Sequence, residues 1–128
     1  MSDIRANTIS NESGNGPINL HKQAAAKAWV NFDGDVADGT SNMIGVRDSM
    51  NISSLVNTAT GSNDISYTNS FANVNYATTL GSNASSPYFS NAANTYKANK
   101  MRIITAAGST STLTDATLVT SMAVGDLA

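Results

Sequence analysis

Ala24-Ala25-Ala26-Lys27-Ala28-Trp29-Val30-Asn31-Phe32 is the stretch on which the reading of this chain turns. It holds the sole tryptophan, and the sequence changes character across it. From Ala28 onward, Ala28, Val30 and Phe32 fall on one face of a strand, and Trp29 and Asn31 on the other. Ahead of it lies a polar segment with Gly14, Gly16 and Pro17, and behind it come short runs of alternating apolar residues. Aromatics make up only 6% of the chain, so Trp29 and Phe32 supply much of its apolar area, as core or as interface. The stretch reads as the hinge between an arm, residues 1–23, and a compact β-domain, residues 24–128.

Towards the N-terminus, residues 4–10 read as a short strand, with Ile4, Ala6 and Thr8 opposite Arg5, Asn7 and Ile9. Residues 11–17 form a turn of Asn, Gly and Pro. Residues 18–20 read as a second small strand. Residues 21–27 are a helical turn or linker, too short to be stable without packing. Such an arm cannot bury its own apolar side chains. Ile4, Ile9, Ile18 and Leu20 are therefore the expected interface residues, covered by another subunit or another copy of the arm.

Towards the C-terminus, period-two sets mark further strands. These sets are Ile44 with Val46, Met50 with Ile52, and Ile65 with Tyr67 and Phe71. Val74, Tyr76, Thr78 and Leu80 alternate cleanly. Met101 and Ile103 lie opposite Arg102 and Ile104, and Leu118, Met122 and Val124 close the series. The runs on either side of Gly61 suggest a hairpin with a long turn over residues 58–63. Residues 88–99 carry no clear period. The expected fold is mainly β, a small antiparallel β-sandwich or barrel preceded by an extended N-terminal arm.

Composition narrows the function. A chain of 128 residues makes one domain plus, at most, an ordered extension. Charged residues are 12%, against a usual share of about 25%. The formal net charge is −2 and no basic patch is visible, which argues against nucleic acid as a partner. The absence of cysteine excludes disulfides and thiolate metal sites. No apolar run approaches a membrane span, so no membrane insertion is expected. Met1-Ser2-Asp3-Ile4-Arg5 lacks the apolar core of a secretory leader, so the expectation is synthesis in the cytoplasm.

Candidate sites are few. Asp33-Gly34-Asp35-Val36-Ala37-Asp38-Gly39 could offer carboxylates to calcium, but Ala37, Asp38 and Ile44 stand where an EF-hand needs a ligand, a glycine and a closing Glu. Asp and Gly are also ordinary turn residues, and the expectation is a loop without metal. His21 is the one histidine, placed for local packing or for a shared site around a symmetry axis. No nucleophile-elbow sequence occurs, and no catalytic residue or cofactor is expected. Lys97, Lys100 and Arg102 are the densest basic group, read as a solvated strand face against an anion-binding patch. Trp29, and more weakly Tyr67, Tyr76, Tyr88 and Tyr96, could stack on a sugar ring or pack in a core. Asn11, Asn51 and Asn83 head sequons that mean little without secretion.

Two segments carry a resemblance. Ile4-Arg5-Ala6-Asn7-Thr8-Ile9-Ser10-Asn11-Glu12-Ser13-Gly14-Asn15-Gly16-Pro17 resembles a segment of tail-fibre and other virion proteins of marine and cyanobacterial tailed bacteriophages. Ala25-Ala26-Lys27-Ala28-Trp29-Val30-Asn31-Phe32-Asp33-Gly34 and Val46-Arg47-Asp48-Ser49-Met50-Asn51-Ile52-Ser53-Ser54-Leu55 resemble the small β-domain that often follows it. Where that family has a tripeptide near Asn-Gly-Thr, this chain has Asp33-Gly34-Asp35. The resemblance spans roughly the first 55 residues and implies a non-enzymatic, surface-exposed structural protein of a phage virion. It implies a homo-oligomer, a trimer by analogy, in a short tail fibre or tail-associated position. The alternatives are a capsid-decoration protein on the major capsid protein and a carbohydrate-binding adhesin that meets a host surface glycan.

Overall fold

The computed structural model describes residues 26–36, 43–84, 88–90, 96–108 and 112–128, with residues 88–90 described by their backbone alone. The arm residues Ile4, Ile9, Ile18 and Leu20, together with His21 and Asn11, lie outside the described residues.

Among the described residues the strands are β1 Ala28–Phe32, β2 Val46–Met50, β3 Ile52–Ala59, β4 Ser62–Tyr67, β5 Ala77–Ser82, β6 Tyr88–Ser90, β7 Lys100–Ile104, β8 Ala106–Ala107, β9 Thr112–Leu113 and β10 Val119–Val124. One four-stranded sheet runs β2-β1-β10-β5 and a second runs β3-β4-β7-β6. Every pairing in both is antiparallel. A two-stranded ribbon, β8-β9, stands apart. The inward residues of the two sheets meet in one core, so the architecture is a β-sandwich of the kind the alternation predicts.

The first sheet contributes Ala28, Val30, Phe32, Val119 and Ala123 to that core; the second contributes Leu55, Ile65, Tyr67, Met101 and Ile103. Phe32 is fully buried, whereas Trp29 and Asn31 on the opposite face of β1 are partly exposed. Burying these side chains stabilises the fold by roughly 25 cal/mol per Å² of apolar area.

Several expectations shift in the structure. The hairpin turn is tight: β3 and β4 pair out to Ala59 and Ser62, leaving Thr60-Gly61 as the loop, because Gly61 takes a φ of 65°. β4 ends at Tyr67, and Phe71 beyond it pairs instead with Leu127 in an isolated bridge. Val74 precedes β5 and is 51% exposed. On β10 the inward set is Val119, Ser121 and Ala123, while Leu118 and Met122 of the expected apolar set are 43% and 41% exposed. The register explains this. Trp29 pairs with Met122 and Phe32 with Val119, so once Phe32 points inward, Met122 must point outward with the indole.

The chain passes between the sheets at Asn51, which joins β2 to β3 with a φ of 60°. Its side chain fixes the corner, donating to the Asn69 carbonyl at 3.0 Å and accepting from the Asn69 N–H at 2.7 Å. Past that corner, Tyr67, Phe71, Tyr76 and Tyr96 form an aromatic cluster. Phe71 and Tyr76 stack at 4.2 Å, Tyr76 and Tyr96 at 4.7 Å, and Tyr67 meets Phe71 edge-on at 5.0 Å. The Tyr76 hydroxyl donates to the Lys97 carbonyl at 3.0 Å, and the Tyr96 hydroxyl to the Tyr76 carbonyl at 2.9 Å. Burial pushes the Tyr67 phenol up to about 12 and raises that of Tyr76 too.

Candidate functional site

The outer face of the first sheet gathers the side chains with the clearest binding chemistry. Antiparallel pairing aligns Met50, Trp29, Met122 and Thr79 in one row across β2, β1, β10 and β5. The next row holds Asp48, Asn31, Thr120 and Gly81. Met50 is 40% exposed and Met122 41%, and the indole lies between them. A hollow of about 310 Å³ opens on this face, lined by Trp29, Asn31, Thr79, Thr120 and Met122 over the backbone of Val30 and Ser121. Gly81 leaves space beside Thr120, where an added Cβ would come within 2.7 Å of the threonine hydroxyl. Thr120 Oγ1 donates to the Gly81 carbonyl at 3.4 Å.

A bulge sets the edge of this face. Asn31 pairs with Asp48 and Phe32 with Val46, so Arg47 is the extra residue of β2. Its guanidinium donates to Asn31 Oδ1 at 3.4 Å, the Phe32 carbonyl at 3.2 Å, Asp33 Oδ2 at 3.3 Å and the Thr117 carbonyl at 2.6 Å. Arg47 thus ties β1, the acidic loop and the approach to β10 together, and it orients the Asn31 amide.

The acidic loop is built as a turn. Asp33 Oδ1 accepts the Asp35 N–H at 3.0 Å while Oδ2 accepts from Arg47. Asn57 donates to the Gly34 and Val36 carbonyls at 3.3 and 2.6 Å. Asp38 lies outside the described residues.

The basic group is placed by the second sheet. Arg102 forms a two-pronged pair with Asp64, Nε to Oδ1 at 2.5 Å and Nη2 to Oδ2 at 3.0 Å, and Lys100 Nζ lies 3.7 Å from the same carboxylate. Asp64 faces Arg102 across β4 and β7, so two of the three cations are matched on the sheet itself. Tyr67, Tyr76 and Tyr96 belong to the aromatic cluster and not to this outer face. The side chain of Tyr88 lies outside the described residues. The Asn51 amide is held at the Asn69 corner, and Asn83 bonds Thr117 Oγ1 at 2.8 Å and the Leu118 N–H at 3.1 Å.

Sequence reasoning marks Trp29 and Asn31 on one face but misses Met50, Met122, Thr79 and Thr120 beside them. The usable signal is the shared period-two phase of Met122, Val124 and Thr120, which points outward once β10 is paired with β1. No helix among the described residues is long and apolar enough to cross a membrane. No family model, curated protein or solved structure matches this chain.

Proposed function

We propose that this chain is a non-enzymatic structural protein of a tailed-phage virion, displayed on the particle surface as a homo-oligomer. The observation that carries the reading is the division of labour along the chain. Among the described residues, two sheets pack against each other and bury Phe32, Leu55, Ile65, Phe71, Met101 and Ile103 almost completely. The apolar arm residues Ile4, Ile9, Ile18 and Leu20 precede that head, in the segment whose sequence resembles tail-fibre proteins. An arm that joins copies or docks on a neighbouring virion protein, ahead of a self-sufficient head, fits this arrangement.

The test has two parts. Mass spectrometry of purified virions should find the chain, with tens of copies or fewer for a tail position and hundreds for capsid decoration. In the purified full chain, Ile4→Asp combined with Ile9→Asp should shift the oligomer towards monomer by analytical ultracentrifugation while the far-ultraviolet spectrum stays β. Absence from particles would remove the virion reading, and an unchanged oligomer would remove the arm from it.

A further inference from the structure

We propose that the outer face of the first sheet binds a neutral sugar, with one pyranose ring packed on the Trp29 indole. The inference stands on that face alone and does not depend on where the chain is displayed.

A sugar ring asks for two kinds of contact. Its C–H face packs on an aromatic ring, and its hydroxyls each need both a donor and an acceptor. The hollow supplies the first through Trp29, flanked by Met122. The polar groups around it supply the second. The Asn31 side-chain carbonyl is taken up by Arg47 at 3.4 Å, which leaves its NH₂ as a donor. Thr120 Oγ1 spends its proton on the Gly81 carbonyl and keeps its lone pairs as acceptors. The Thr79 hydroxyl lies at the exposed margin and can act in either sense. Asp48, opposite Asn31 in the register, adds an exposed carboxylate that accepts from the Ser49 N–H through Oδ1 and has Oδ2 to spare.

Size and charge favour this occupant over others. About 310 Å³ lies at the lower end of ligand pockets, which run from about 300 to 1,000 Å³, and suits one or two rings of a glycan. The lining residues carry no charge, the adjoining Arg47 is paired with Asp33, and Asp48 stands opposite Asn31 in the register, so phosphates, nucleic acid and acidic glycans find no unpaired cation in the hollow. A wholly apolar partner would cover the Asn31 NH₂ and the Thr79 and Thr120 hydroxyls without giving them a new partner. The position of Gly81 deepens the fit. It is in extended backbone that other residues adopt, yet a side chain there would crowd Thr120.

The sole tryptophan makes the test direct, because its emission reports this site and no other. The full chain is titrated with methyl glucopyranoside, methyl mannopyranoside, methyl galactopyranoside and N-acetylglucosamine, and is applied to an array of neutral and acidic glycans. We expect a saturable emission change with at least one neutral sugar and matching neutral signals on the array. Asn31→Ala and Thr79→Ala, both at solvent-facing positions, should each weaken binding by about tenfold with the melting temperature little changed. Gly81→Val should abolish it by closing the hollow. A constant emission with a blank array would overturn the proposal. So would binding confined to acidic glycans, or an emission shift that follows protein concentration and not sugar, which would give the face to a second copy.

Discussion

Asn57, fully buried on β3, donates its side-chain amide to the Val36 carbonyl at 2.6 Å. The same amide reaches the Gly34 carbonyl at 3.3 Å, so one core side chain supplies two hydrogen bonds to a loop that leaves the opposite sheet. Replacing it with Leu leaves these two carbonyls without that donor. We expect Asn57→Leu to cost about 1–3 kcal/mol in urea unfolding, and Asn57→Asp to cost more by burying a charge. Wild-type stability in either variant would show that water replaces the amide at no cost.

Gly61 is the second critical position. Its φ is 65°, and a Cβ there would collide with the Thr105 carbonyl and come within 2.8 Å of the Thr114 N–H, both backbone. Its own N–H donates to Asp115 Oδ1 at 2.6 Å. Gly61→Ala should cost about 2 kcal/mol or more. Gly108→Ala is the control. Its φ is 59°, but a Cβ there meets nothing within 4 Å, so about 1 kcal/mol is expected. Equal losses in the two variants would show that the close approach at Gly61 is relieved.

Alkaline pH should loosen the aromatic cluster. The Tyr67 phenol ionises near 10 when unfolded and is pushed up to about 12 by burial in the fold. Between those values the folded chain holds a proton that the unfolded chain has lost, so stability falls as pH rises. The contribution is fully present below pH 10 and is lost between about 10 and 12, a drop on the order of 3 kcal/mol. Melting temperatures recorded from pH 9 to 12 should fall steeply, and Tyr67→Phe should make the fall shallower, leaving the share of Tyr76, whose phenol burial also raises. An equally steep fall in that variant would assign the effect to other groups.

The acidic loop should be indifferent to metal. Both Asp33 oxygens already accept hydrogen bonds, from the Asp35 N–H and from Arg47, and Asn57 holds two of the loop carbonyls. A calcium ion needs about 6–8 oxygens, and those would have to be released first. The melting temperature should be the same in calcium and in chelator. A clear drop in chelator, abolished by Asp35→Asn, would make the loop an ion site.

Legibility in the sequence followed the sign of each residue's surroundings. β1 and β7 are readable because Ala28, Val30 and Phe32, and likewise Met101 and Ile103, share one period-two phase, and that phase is buried. β10 is not, because Val119 and Ala123 compete with Leu118, Met122 and Val124, and only the partner strand chooses between the two phases. The same ambiguity hid the outer face. Trp29 looked like core or interface from its size, and its phase relative to Phe32 now places it outward on the sheet, among residues that come from three other strands. The bulge at Arg47 and the Asn57 tether leave no local signature, since both depend on residues far away in the chain.

The pairing of β1 with β10 also sets a schedule. The first strand of the described head pairs early with β2 but finds its second neighbour only in β10, the last strand, so the first sheet cannot close until β10 has been made. The β3–β4 hairpin needs no such wait, because its two strands are joined by Thr60-Gly61 alone. The topology thus sets one local pairing, the hairpin, against one long-range pairing, the closure of the first sheet. Any arm-mediated assembly would bring together copies whose Trp29 strand is either locked in place or, if premature, open to pairing with a neighbour's β10.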